Sequence, residues 1–167
     1  MYKQHLIRCI GREIQLAKQL IPYIDETKLD YRMFEKTRST LELMQYLSSI
    51  GSCMMQYYAG GMTNEDWKTV DEKNKSVTLQ NFGERMDGQQ KTILGFFEKI
   101  SDEDLLNVEV ELFWKEKMPL GMAIMQGPVR WLATYRMELF KLLKVSGRPE
   151  MSTKQAWYPL SEMNPAS

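Results

Sequence analysis

The stretch PLGMAIMQGPVRWLATYRMELFKLLKVSG, residues 119–147, decides the fold. Proline is favoured at the first helical position and glycine just past the last. Pro119 and Gly147 therefore bracket one long helix that ends near Val145, with Pro149 beyond the stop. Pro128 falls in its interior. It removes the hydrogen bond to the Ile124 carbonyl and clashes with it, which predicts a kink, and Gly127 makes room. Trp131 and Tyr135 stand four residues apart and share one helix face. That spacing suits a metal or an acid–base pair when the residues are His, Asp or Glu. Here both are aromatic, and the single histidine of the chain, His5, lies near the other end. The helix has the geometry of a site without the usual donors.

Three further helical patterns precede it. In residues 2–21, Leu6, Ile10, Ile14, Ala17 and Leu20 recur at helical spacing opposite Arg12 and Lys18. A polar run after Pro22 ends that helix, and an extended connection covers residues 29–38. Ser39-Thr40-Leu41-Glu42 is a capping box that starts a helix over residues 39–58, stopped by Gly60-Gly61. Leu43, Tyr46, Ile50, Cys53 and Tyr57 form one face of it, widened by Leu47, Met54 and Tyr58. A helix this apolar is central in its bundle or lies at an oligomer interface, and a two-fold homodimer is the simplest such assembly.

Residues 62–77 are polar, with Trp67 as the one large anchor and a short helical turn at Thr63. The next long helix covers residues 78–100, with Phe82, Met86, Gln89, Ile93, Phe96 and Ile100 in period. Gly83, Gly88 and Gly95 weaken it by about 1 kcal/mol each relative to alanine, which predicts close contact with a neighbour. Residues 108–112 alternate with period two, but no second segment offers an evident pairing. They read as an extended crossover, with Trp114 at one end. The tail, residues 148–167, reads as irregular and docked through Trp157-Tyr158. The expected fold is all-α, a four-helix bundle with a long crossover connection, as one domain over residues 1–167.

Composition narrows the function. Lys+Arg and Asp+Glu number 22 each, so no net field draws the chain to nucleic acid or an acidic membrane. No apolar run approaches the roughly 18 residues of a membrane span, and charges interrupt the first 21 residues where a secretory signal would be apolar. A cytoplasmic location follows as the expectation. Cys9 and Cys53 both sit in apolar helical patterns and read as buried free thiols. The 13 methionines suit an irregular core or a softly lined pocket. Asp102-Glu103-Asp104 lacks the spacing of a calcium loop and reads as a solvated helix start. No phosphate loop, nucleophile elbow or metalloprotease motif is present.

Residues 125–139 resemble the last helix of the DinB/YfiT-like superfamily, whose pattern there is His-x3-His-Arg-Gly-Gln. Arg136 matches the Arg, Trp131 and Tyr135 fall on the two histidines, and Glu138 falls on the Gln. Residues 117–121 resemble the lead into that helix. Residues 43–47 resemble the segment carrying a third histidine, and Tyr46 falls on it. The resemblance implies a four-helix bundle with a pocket at one end. In many members three histidines bind a divalent metal there, and some relatives are thiol-dependent transferases or isomerases. This chain departs from the pattern at all three ligand positions. Tryptophan only donates hydrogen bonds, and a phenol is a poor zinc ligand at neutral pH.

The expectation is a bundle without a metal or other bound cofactor, in which Tyr46, Ile50, Cys53, Trp131, Tyr135 and Glu138 line an aromatic pocket for a small molecule, or simply fill the core. Arg136 and Glu138 are candidates to bond the polar tips. The chain then acts as a small-ligand-binding or interaction protein. The alternative is a thiol-dependent S-transferase or isomerase that uses a low-molecular-weight thiol.

Overall fold

A computed structural model describes residues 1–160. The chain is an all-α bundle with one small hairpin. Its helices are α1 (Tyr2–Lys18), α2 (Thr40–Leu47), α3 (Ile50–Gly60), α4 (Asn64–Asn74), α5 (Phe82–Glu98), α6 (Asp102–Asn107), α7 (Leu120–Ile124), α8 (Arg130–Ser146) and α9 (Lys154–Trp157). Strands β1 (Glu109–Glu111) and β2 (Lys117–Pro119) lie between α6 and α7. The four long members are α1, the α2–α3 pair, α5 and the α7–α8 run. Along α1 the expected stripe is buried: Leu6, Ile10, Ile14, Ala17 and, just past its end, Leu20. It meets Leu43, Leu47, Ile50 and Met54, then Phe82, Met86 and Ile93, then Leu132, Leu139 and Leu143, in one continuous core.

The second long helix is two helices. The capping box forms as expected, with Ser39 accepting from the Glu42 N–H and Glu42 accepting from the Ser39 N–H. The helix then breaks at Ser48-Ser49. The Ser48 hydroxyl donates to the Gln45 carbonyl and the Ser49 hydroxyl to the Tyr46 carbonyl, so both side chains compete locally with the backbone ladder. The groups left over at the break are taken by one side chain from α5. Gln89 donates to the Leu47 carbonyl at 3.0 Å and accepts from the backbone N–H of Gly51 at 2.7 Å and of Ser52 at 3.2 Å. Gln89 is buried. A buried backbone group left unpaired costs about 1–3 kcal/mol, so this residue makes the corner affordable.

Other expectations need correction. The polar segment after Gly61 forms a full helix, α4, started by a second capping box between Thr63 and Asp66. Residues 108–112 do find a partner. β1 pairs antiparallel with β2, Glu109 opposite Pro119, Val110 opposite Met118 and Glu111 opposite Lys117. Pro119 thus ends a strand and caps α7 rather than opening the helix itself. Lys115 takes the left-handed conformation at the hairpin tip, with φ 69°. Trp114 sits exposed at that tip, bonded to Glu116.

Pro128 does not stop the helix. A single π-type turn, Met125–Val129, carries the chain from α7 into α8. Widening the turn accommodates a residue that cannot donate in the α register. Gly127 makes room here for a side chain, because a Cβ on it would meet the Tyr58 ring at 2.6 Å. Gly88 and Gly95 have nothing within 4 Å of such a Cβ, so they are not close-contact positions. Cys53 is buried but Cys9 is exposed. The C-terminal segment docks through Met151 and Ala156, while Trp157 and Tyr158 are exposed. Its expected irregular course is interrupted by α9, and residues 161–167 lie outside the described residues. Most apolar residues of α2 and α3 are buried within this one chain, while Leu41, Tyr46 and Tyr57 are half-buried.

Candidate functional site

Tyr46 on α2 and Tyr135 on α8 meet edge to face, with ring centroids 4.8 Å apart. They come from distant parts of the sequence, but both sit on the flank where α2 packs against α8. Above them lies Arg38, from the connection before the Ser39 cap. Its guanidinium carbon is 3.9 Å from the Tyr46 ring centroid and 5.4 Å from that of Tyr135. Among the described residues Arg38 has no hydrogen-bond acceptor and no ion-pair partner. The nearby carboxylate, Glu42, is bonded to Arg32 by both oxygens, at 2.5 and 2.6 Å. That bidentate pair, with the Ser39 N–H, holds the Glu42 carboxyl below its ordinary value. Burial, and then the adjoining Tyr135, push the Tyr46 phenol above its ordinary value.

Trp131 turns to a second aromatic group. It stacks on Phe113 at 6.1 Å, Phe113 stacks on Tyr57 at 4.2 Å, and Tyr57 meets Tyr58 at 5.4 Å. Phe113 stands just after β1, so the hairpin brings it in. Trp67 of α4 joins the two groups. Its ring is 6.3 Å from Phe113, and it borders an open groove with Tyr46. That groove has a volume of about 520 Å³ and is lined by Arg38, Glu42, Gln45, Tyr46, Trp67, Asp71, Asn74 and Lys75. One wall is α2 with Arg38, two residues ahead of it; the other is α4 with Lys75, just past its end.

The remaining residues expected at the site are spread around this centre. Ile50 is buried in the core. Cys53 borders another groove, about 720 Å³, between α3, α4 and α5, together with Ser49, Val70, Arg85 and Gln89. Burial pushes its thiol up to about 11, so it is not a thiolate at neutral pH. Glu138 borders a third groove, of about 520 Å³, with Met33, Met137, Lys141 and Trp157. Arg136 turns away from the tyrosines. Its Nε donates to Glu13 of α1 at 2.7 Å and its Nη1 to the Ala156 carbonyl. His5 is exposed on the first turns of α1.

A divalent metal does not fit the three positions that the resemblance points to. Trp131 offers no lone pair, and it stacks with Phe113 rather than with the tyrosines, so the three positions do not make a donor triad. No group of three His, Cys, Asp or Glu side chains able to hold a metal ion occurs among the described residues. Arg38, Phe113, Tyr57 and Trp67 are the components that sequence patterning missed as parts of this site. Arg38 and Phe113 lie outside helices, where no periodicity reports which way a residue faces.

The fold is DinB-like, as a comparison with a solved structure shows. The chain is similar in structure to a proposed DinB-family member from Exiguobacterium sibiricum, known from a crystal structure, with a TM-score of 0.70. The two are 16% identical, over 92% of this chain and 97% of the other. No protein-family model matches the sequence, and no curated protein matches it.

Proposed function

We propose that this DinB-like chain binds a small molecule without the help of a metal, in the groove between α2 and α4. The observation that supports this reading is Arg38: a guanidinium held over two tyrosine rings, facing an open groove, with no acceptor of its own among the described residues. Ligand sites of about 300–1,000 Å³ commonly combine apolar and aromatic walls with a few fixed polar groups, and this groove has that composition. Tyr46 lines the groove and packs edge to face against Tyr135 behind it, and Trp131 supports the neighbouring aromatic layer through Phe113.

Two measurements test the reading. Thermal-shift screening of the purified chain against small acids, amines, aromatics and low-molecular-weight thiols should find a compound that raises the melting temperature, since a ligand selective for the native state stabilises it. Metal analysis of the same protein should find no stoichiometric zinc or nickel; a tightly held equivalent of either would overturn the metal-free part. Burial holds the Cys53 thiol above its ordinary value, so a thiol-dependent transfer in this reading takes its nucleophile from a bound low-molecular-weight thiol and not from Cys53. In this reading the protein is cytoplasmic. No described helix is long and apolar enough to cross a membrane. A two-fold homodimer is the simplest assembly. Light scattering would reject the dimer by returning a mass near 19.6 kDa.

A further inference from the structure

The charges around the groove are not all committed. On the α2 side, Glu42 is held by Arg32, which leaves the Arg38 guanidinium without a hydrogen-bonded carboxylate among the described residues. Its position over Tyr46 satisfies the face of the cation by attraction to the ring, but the five N–H donors lie in the guanidinium plane and need acceptors. On the α4 side, Lys75 is paired with Glu72 at 2.6 Å. Asp71 borders the same groove, and its carboxylate makes no ion pair or hydrogen bond among the described residues. The groove thus presents a cation on one wall and an anion on the other, with no bridge between them.

Between the two charges lie flat apolar surfaces, Tyr46 and Trp67. The amides there are oriented by the protein. Gln45 donates to the Val77 carbonyl and Asn74 donates to the Ser49 hydroxyl, so each side-chain amide keeps its oxygen as an acceptor. We propose that the groove binds a small zwitterion with a flat apolar body, of the α-amino-acid type. Its carboxylate pairs with Arg38, its ammonium pairs with Asp71 near the Asn74 oxygen, and its body lies between Tyr46 and Trp67. A planar guanidinium suits a carboxylate bidentately, which sets the orientation. Such a ligand ties α4 to α2. Helix α4 has no buried residue of its own, so it is the wall whose attachment a bridging ligand changes most. The inference rests on the ligand-binding reading above and adds the chemistry of the ligand.

The test uses three probes that share one ring: L-phenylalanine, 3-phenylpropionate and phenethylamine, titrated into the full chain by calorimetry. L-Phenylalanine should bind at least tenfold more tightly than either single-charge analogue. Arg38→Met should abolish the advantage of the probes that carry a carboxylate. Asp71→Asn, at an exposed position, should bring L-phenylalanine to the affinity of 3-phenylpropionate while leaving the latter unweakened. Hydrogen exchange should slow across Asn64–Asn74 with L-phenylalanine and not with 3-phenylpropionate. Equal affinity for all three probes, or an Asp71→Asn protein that still prefers the zwitterion, overturns the proposal. So does the absence of binding by all three. If a neutral compound then still stabilises the protein, and does so in Arg38→Met, the ligand-binding reading survives alone. If nothing stabilises it, both fail.

Discussion

Arg136 and Arg38 carry the same side chain in opposite circumstances. Arg136 is 2% exposed, and its bonds reach Glu13 on α1 and the Ala156 carbonyl in the C-terminal segment. It ties three parts of the chain together at one point. Arg38 is half-buried and touches two aromatic faces, with its donor edge uncommitted. A buried cation whose bonds are complete is a structural cross-link; removing it strands its partners. A cation beside an open groove, held by ring faces alone, contributes little to the fold and is available to a ligand. A permanent positive charge, the Arg38 guanidinium, thus lies over the rings of Tyr46 and Tyr135.

The contrast can be broken most decisively at Arg136. Arg136→Met leaves the Glu13 carboxylate, 17% exposed, without its partner, and urea unfolding should register a loss of about 3–5 kcal/mol. A loss below about 1 kcal/mol would erase the distinction between the two arginines. Gln89→Leu probes a second internal tie, a neutral one. It exposes the Leu47 carbonyl and the Gly51 N–H to an apolar surrounding, and about 2–3 kcal/mol should be lost by the same measurement. An unchanged midpoint would mean that water replaces the amide at the corner.

Two smaller effects bear on the open side. Gly88 lies on the exposed face of α5 with no atom near its would-be Cβ, so Gly88→Ala should raise stability by about 1 kcal/mol. Gly51, facing α5 and α8, lacks that freedom: a Cβ there would lie 2.9 Å from Leu132 and 3.0 Å from the Gln89 oxygen, and both side chains would have to shift. Arg38→Met should alter stability by less than about 1 kcal/mol, the scale of an exposed cation–π contact. A loss as large as that of Arg136→Met would make Arg38 a structural residue too.

How much of this was legible in the sequence depended on periodicity. The buried stripes of α1, α3, α5 and α8 follow from helical spacing, and Ser39 and Glu42 announced the start of α2 correctly. The break at Ser48-Ser49 left no trace, since apolar residues stay in register on both sides of it. Gln89 fell on the buried face of α5, but its role is set by backbone groups of another helix. The hairpin was half visible: the alternation in β1 was there, and the partner was hidden because Met118 and Pro119 read as a helix lead. Within the site, Tyr46 and Tyr135 were accessible because each has a fixed helical face. Arg38 and Phe113 were not, because their positions depend on how loops close over the bundle.

The Gln89 bridge has a kinetic consequence. The corner between α2 and α3 cannot be completed by neighbouring residues, because its missing partner lies 42 residues from Leu47 and 38 from Gly51 along the chain. Until α5 arrives, the backbone groups at the corner remain hydrated and the two helices are free to swing or to merge into one. The bend is therefore a late event in assembly, locked in a single step by docking of a distant helix. On this hypothesis the Gly51 amide exchanges with solvent at the slow rate of the α5 core rather than at that of the frayed end of α3. Exchange of Gly51 that is fast while α5 stays protected would show that the corner opens without undocking of α5 and would reject the coupling.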